Sequence, residues 1–143
     1  MAVIFSKACE YGLQAVLFLA SFPPDESVPA YRIAKELKIP KEFISKILQS
    51  LTDHKLIMSK KGKFGGFSLA RSPKKIKLID IVEAIDGLDA FKTCVLGFPH
   101  CSSDVPCPVH ESWGKLRNQA YDMLSTETLD DLKEQAAEKI KSL

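Results

Sequence analysis

Two short strand-like segments flank a glycine-rich turn near the middle of the chain. Residues 56–61 begin with three apolar side chains and end with three polar ones, whereas residues 67–71 begin with apolar and polar side chains in alternation. Gly62, Gly65 and Gly66 lie between the two segments. This pattern predicts a β-hairpin, because glycine permits the backbone conformations that a tight turn demands. Since the segments before the hairpin have helical periodicity, the fold is restricted to one in which helices precede a two-stranded unit.

Three amphipathic helices are predicted ahead of the hairpin. The first spans residues 6–21 and stops before Pro23-Pro24, the second spans residues 30–37, and the third runs from Lys41 to about His54. Ile39-Pro40 breaks the chain between the second and third helices with a tight turn. Apolar residues at helical spacing predict three buried stripes: Leu13, Val16, Leu17 and Ala20; Ile33, Ala34 and Leu37; and Ile44, Ile47, Leu48 and Leu51.

Helix, turn, helix and hairpin in this order predict a winged helix-turn-helix. In such a fold the second helix of the pair enters the major groove of DNA, and the wing lies along the backbone or the minor groove. The polar face of the third helix and the basic hairpin therefore supply the predicted DNA-binding residues: Lys41, Ser45, Lys46 and Gln49 on the helix, and Lys60, Lys61, Lys63 and Arg71 on the wing.

Positive charge is concentrated between residues 32 and 77. That block holds thirteen basic and three acidic residues, a net charge of +10, whereas residues 1–31 carry −2 and residues 78–143 carry −6. A basic block between acidic flanks suits a surface that contacts DNA phosphates, because release of counterions drives such binding. The alternatives are a solvated lysine-rich face and a scaffold that contacts proteins without DNA.

Three of the four cysteines lie in one loop after the hairpin. Cys94, Cys101 and Cys107 are separated by six and five residues, in a stretch rich in glycine and proline, and His110 follows closely. Thiolates bind iron–sulfur clusters and zinc, so the loop predicts a metal centre. Three interpretations of the loop stay open: an iron–sulfur cluster site, a structural zinc site with three cysteines and one histidine, and a metal-free thiol switch.

The rest of the chain is predicted to be helical. Residues 78–87 are predicted to form a helix that ends at a glycine. Residues 109–124 are predicted to form a second helix, with an apolar stripe that needs a partner surface to bury it: Trp113, Leu116, Ala120 and Leu124. A short helix from Thr128 to Lys141 follows.

We therefore expect a winged head at 1–88, a cysteine-rich loop at 89–108, and a dimerisation helix with a C-terminal helix at 109–143. A two-fold dimer would read a pseudo-palindromic operator.

Several classes of protein are disfavoured. The chain has no nucleotide-binding glycine motif, no Cys-x-x-Cys pair and no evident catalytic triad, which argues against an enzyme or an electron-transfer protein. It also lacks a secretory signal and any apolar run of ~20 residues, so we expect a cytoplasmic, reduced location without membrane contact.

The sequence resembles the IscR/NsrR family, also called the Rrf2 family. The resemblance spans nearly the whole chain and is carried by the segment from Pro40 to Arg71, with its Lys61-Gly62-x-x-Gly65-Gly66 core, and by the three-cysteine loop. It implies a homodimeric transcriptional regulator, often with a [2Fe–2S] or [4Fe–4S] cluster that alters promoter binding. It also implies a fourth ligand, either His110 or Glu10, with the adjacent Cys9 ranked behind both.

This chain departs from the family pattern at two places. Lys61 stands where many relatives carry arginine, so a bidentate contact from the wing is replaced by a point charge. The interval between Cys94 and Cys101 is one residue longer than in the best-known members.

Overall fold

The computed structural model describes residues 4–99 and 104–143. Its helices are α1 (Lys7–Ala20), α2 (Ala30–Leu37), α3 (Lys41–Asp53), α4 (Leu78–Ile85), α5 (His110–Thr126) and α6 (Leu129–Lys141), and its strands are β1 (Ile57–Lys60) and β2 (Gly66–Leu69). Short 3₁₀ turns lie at Pro73–Lys75 and Asp89–Phe91. The fold is mainly helical with a two-stranded hairpin, which confirms the predicted fold class.

The helix-turn-helix unit has the bounds that the sequence predicts, to within one residue. α2 ends at Leu37, and the capping residue Lys38 adopts a left-handed conformation with φ of 55°. This bend lets the Ile39 N–H donate to the Ala34 carbonyl at 2.9 Å. α3 begins directly after Pro40, whose ring restricts φ. The predicted stripes of α2 and α3 are buried in one core with α1, so the opposite face of α3 is exposed.

The predicted hairpin is confirmed, and it is fixed to the helices by a third segment. β1 and β2 pair antiparallel along their full lengths, and the Gly65 N–H donates to the Gly62 carbonyl at 3.0 Å within the turn. Val28, two residues before α2, pairs with Phe67 of β2. Each N–H donates to the other residue's carbonyl at 2.8 Å. These two bonds hold the wing in place against the helical head.

α4 packs closely on α1. A Cβ atom at Gly12 would lie 2.2 Å from Cδ1 of Ile85, so the absence of a side chain there permits the contact. Asp86, at the end of α4, accepts hydrogen bonds from Ser6, the N-cap of α1; the backbone bond measures 2.8 Å. α4 ends before Gly87 with its φ of 75°, as the glycine stop predicts.

α6 folds back onto α1 and completes the core of the head. Leu129 is fully buried there, and its N–H donates to the Ile76 carbonyl at 2.9 Å. The Thr128 hydroxyl accepts from the Asp131 N–H at 3.2 Å, and the Asp131 carboxylate accepts from the Thr128 N–H at the same distance. This capping box begins α6 where the sequence predicts a capped helix.

α5 leaves most of its apolar side chains uncovered by the rest of the chain. Leu124 packs against Ile79 and Val82 of α4, but Leu116 is 60% exposed, and Met123 is also exposed. Of the predicted apolar stripe, Leu124 is buried within the chain, while Trp113 and Ala120 are partly buried. None of the described helices has the length and apolar character needed to cross a bilayer.

Candidate DNA-binding surface and cysteine loop

The exposed face of α3 carries the side chains predicted to reach DNA. Lys41, Ser45, Lys46 and Gln49 are all exposed, because the buried stripe of α3 holds the other face in the core. Gln49 donates through Nε2 to the Asp53 carboxylate at 3.0 Å, which orients its amide. The helix therefore presents ammonium groups, a hydroxyl and an amide, which are the groups that contact phosphates and base edges in the major groove.

The wing presents the second group of predicted residues. Lys60, Lys61 and Lys63 are exposed on β1 and the turn. Arg71 lies at the base of the wing, where its Nε donates to the Lys55 carbonyl at 3.3 Å. This bond ties Arg71 to the segment between α3 and β1 while its side chain stays exposed. The helix and the wing thus both expose basic side chains on the head.

The structure brings two of the predicted metal ligands together. The sulfur atoms of Cys94 and Cys107 lie 3.4 Å apart, and only 7% of Cys94 is exposed. Cys101 and the neighbouring His100 lie outside the described residues. Cys94 and Cys107 are thirteen positions apart in the sequence, so the structure brings together two cysteines that are not local neighbours. Two soft sulfur donors at this separation can bind one metal centre, or react with each other.

The backbone after Cys94 is arranged around its sulfur. Burial opposes ionisation of the Cys94 thiol, but hydrogen bonds from Leu96, Cys107, Phe98 and Gly97 outweigh it, so the pKa of Cys94 is lowered. Gly97 permits this curvature, because its φ of 83° is favourable for glycine. These N–H donors could not be predicted from the cysteine spacing, although a glycine three residues after a cysteine is a usable signal. They stabilise a thiolate, the form that binds metals.

The candidate fourth ligands lie on different helices. His110 is the first residue of α5, and its N–H donates to the Cys107 carbonyl at 3.1 Å. Glu10 lies on α1, where Lys7 pairs with it at 3.3 Å. Cys9 is fully buried, and this burial, with the Asp86 and Glu10 charges, raises its pKa to about 12. Within residues 4–99 and 104–143, no three His, Cys, Asp or Glu side chains are grouped to hold a metal ion.

The fold, with exposed basic side chains on both α3 and the wing, defines a winged helix-turn-helix DNA-binding protein. A family model named Rrf2 and described as "Iron-dependent Transcriptional regulator" matches residues 5–135. The chain belongs to the Rrf2 family, so the predicted resemblance is confirmed. It is a DNA-binding transcriptional regulator and not an enzyme.

Individual relatives agree with this assignment over most of the chain. A protein of Aquifex aeolicus described as an HTH-type transcriptional regulator is 39% identical over 133 residues, which cover 91% of each chain. CymR, the global cysteine regulator of B. subtilis, has a similar fold, with a TM-score of 0.78, 22% identity and coverage of 92% of this chain and 96% of its own. IscR of T. potens gives a TM-score of 0.73 and 25% identity, covering 92% and 86%.

Proposed function

We propose that an iron–sulfur cluster, [2Fe–2S] or [4Fe–4S], controls the affinity of this regulator for its operator. The ligands assigned are Cys94, Cys101 and Cys107, with His110 or Glu10 as the fourth. The Cys94–Cys107 pair carries this proposal, since its sulfur atoms lie 3.4 Å apart and backbone N–H groups donate to Cys94. Hydrogen bonds to cysteine sulfur are a known means of tuning such clusters. The iron-dependent description of the family model supports the same assignment.

The cysteine loop is connected directly to α5. Trp113 donates through Nε1 to the carbonyl of Thr93 at 2.9 Å, and His110 donates to the carbonyl of Cys107 at 3.1 Å. When bound, a cluster supplies iron that changes charge or dissociates in response to oxygen, nitric oxide or iron supply. Because Cys107 and Thr93, the neighbour of Cys94, are both hydrogen-bonded to the first turn of α5, a change in the separation of the two cysteines would move the start of that helix relative to the head.

The effect on DNA binding can be measured directly. A coupling free energy of about 1–3 kcal/mol would change operator affinity about 5- to 150-fold. The probe is a duplex of about 30 base pairs, selected from a randomised library by protein with and without iron, and long enough for two half-sites a helical turn apart. Fluorescence anisotropy on this duplex should give different affinities for loaded and metal-stripped protein. Equal affinities would show that the cluster does not control binding.

The uncovered face of α5 supports a homodimer, which would bind a pseudo-palindromic operator in the cytoplasm. Leu116→Glu is expected to produce monomers, because a carboxylate buried in an apolar interface costs several kcal/mol. Asn118→Glu is the matched control, since residue 118 lies about 200° around the same helix. Analytical ultracentrifugation should find monomers for the first variant and dimers for the second. Dimers in both would place the interface elsewhere.

Lys46 on α3 and Lys61 on the wing are proposed to contact DNA phosphates. Replacing either with alanine is expected to weaken operator binding about 10-fold at low salt, since a charge-assisted hydrogen bond is lost. The slope of log K against log salt should fall by about 0.9 for each phosphate contact removed. Lys139→Ala, an exposed lysine on α6, is the control and should change neither quantity. An equal loss of operator affinity in all three variants would indicate that these lysines act through the overall charge of the protein and not through particular phosphate contacts.

A metal-free thiol switch is the second candidate, and the short Cys94–Cys107 distance favours it. A peroxide would oxidise one cysteine to a sulfenic acid, and the other thiol would displace water from it to form a disulfide. Only a small movement of the two sulfur atoms from 3.4 Å is needed to form that bond. Mass spectrometry after peroxide treatment of iron-free protein would detect a Cys94–Cys107 disulfide. A disulfide from either cysteine to Cys101 instead would show that Cys94 and Cys107 are not the pair that forms the switch.

A further inference from the structure

Phe64 occupies the tip of the wing, in an unusual setting for an aromatic side chain. It is 82% exposed, more than most apolar residues of the head. The Lys63 ammonium lies 5.8 Å from the centroid of its ring, and Lys60 and Lys61 are exposed on the same hairpin. One large apolar group thus lies beside an ammonium group, on a hairpin that exposes two more. Sequence reasoning did not single it out, although an aromatic residue between two turn glycines is a visible signal.

The turn that carries Phe64 is held in a defined conformation. The hydrogen bond from Gly65 to Gly62 closes it, and a Cβ atom at Gly65 would lie only 2.1 Å from the Lys60 carbonyl oxygen. The turn therefore folds tightly back on β1. Beyond it, β2 is anchored to Val28 by two backbone bonds. Because the support is already ordered, little conformational entropy is lost when Phe64 meets a partner.

The surrounding charge restricts what that partner can be. An apolar protein groove that accepted Phe64 would have to desolvate the neighbouring ammonium groups, which is costly without paired anions. The minor groove of DNA offers both requirements at once, since phosphates line its edges while sugars and base edges form its floor. Apolar side chains that enter this groove partly unstack a base step and bend the duplex.

We propose that Phe64 is an apolar wedge that enters the minor groove of the operator and bends it, while Lys61 and Lys63 contact the flanking phosphates. This inference rests on the proposed contact between wing and DNA. It adds a source of specificity that needs no hydrogen bond to a base. Flexible pyrimidine–purine steps unstack most easily, so the operator should prefer such a step where the tip of the wing lies.

The test compares wild-type protein with Phe64→Ala, Phe64→Leu and Lys63→Ala on the selected duplex, labelled at both ends for energy transfer. Phe64→Ala should lose the bend and about 10-fold in affinity with an unchanged salt slope, because stacking and not charge is removed. Phe64→Leu should keep most of the bend, since leucine also serves as a wedge. Lys63→Ala should keep the bend and reduce the salt slope by about 0.9.

The outcomes separate the wedge from DNA binding itself. If Phe64→Ala bends the duplex as much as wild type, or if wild type binds a straight duplex, the proposed insertion of Phe64 is wrong. The proposed binding of the operator is unaffected by that result. If no duplex is enriched by wild-type protein with or without iron, the proposed operator binding fails as well. Because Phe64 is almost fully exposed, the substitutions should leave the thermal stability unchanged.

Discussion

Gly66→Ala is expected to lower the free energy of unfolding by about 3 kcal/mol and to abolish operator binding. A Cβ atom at Gly66 would lie 2.5 Å from the Val28 carbonyl carbon and oxygen, and backbone atoms cannot rotate away as a side chain can. The φ of 152° adds strain for any residue with a side chain. Relief requires the wing to leave Val28, which breaks two backbone hydrogen bonds worth about 1 kcal/mol each.

Gly62→Ala, in the turn of the same hairpin, is the matched control. Gly62 has a positive φ of 109°, but nothing lies within 4 Å of the Cβ that alanine would add. Its cost should be about 1 kcal/mol from backbone strain alone. Urea denaturation of both variants, with circular dichroism as the signal, measures the difference. A similar decrease in the free energy of unfolding at the two positions would mean that the packing of the wing on Val28 contributes little to stability.

Cys107→Ala is expected to remove iron and sulfide from the protein and to change operator affinity about 5- to 150-fold. Cys107 is partly exposed, so the loss of its sulfur should disturb the fold little. The proposed ligand set would then keep only two thiolates, Cys94 and Cys101, which is one fewer than the proposed cluster uses. Iron and acid-labile sulfide per chain should be measured beside the operator affinity on the same preparation.

Cys9→Ala provides the comparison for that result. Cys9 is packed among Ile79, Val82 and Leu124, so its removal should cost about 1 kcal/mol of stability through a small cavity. It should leave the iron content unchanged. Loss of iron from the Cys9 variant with retention in the Cys107 variant would reverse the assignment of ligands.

The helix-turn-helix could be predicted closely because its signals are local. Pro23-Pro24 and Ile39-Pro40 interrupt the helices, and the apolar spacing within α2 and α3 allows one buried face for each. The hairpin was also predictable, because glycine and alternation are short-range patterns. Its anchoring on Val28 was not, since Val28 lies 39 positions from Phe67 and a single isolated pairing leaves no pattern in the sequence.

The packing of α6 and the ligand geometry of the cysteine loop could not be predicted from the sequence. The capping box at Thr128 predicts that a helix begins there, but not that Leu129 enters the core beside Ile76. The spacing of cysteines indicates a metal centre, yet the choice between His110 and Glu10 depends on long-range geometry. His110 is tied to Cys107 through the backbone, whereas Glu10 belongs to a separate helix.

The visible absorption spectrum of protein purified without oxygen tests the cluster assignment most directly, with iron, acid-labile sulfide and zinc quantified on the same sample. The cluster proposal predicts iron and sulfide in matched amounts and a broad band near ~400 nm. Colourless protein with one zinc per chain would make the loop structural. Colourless protein without metal, even after attempted reconstitution, would contradict the cluster and transfer control to the thiols of Cys94 and Cys107.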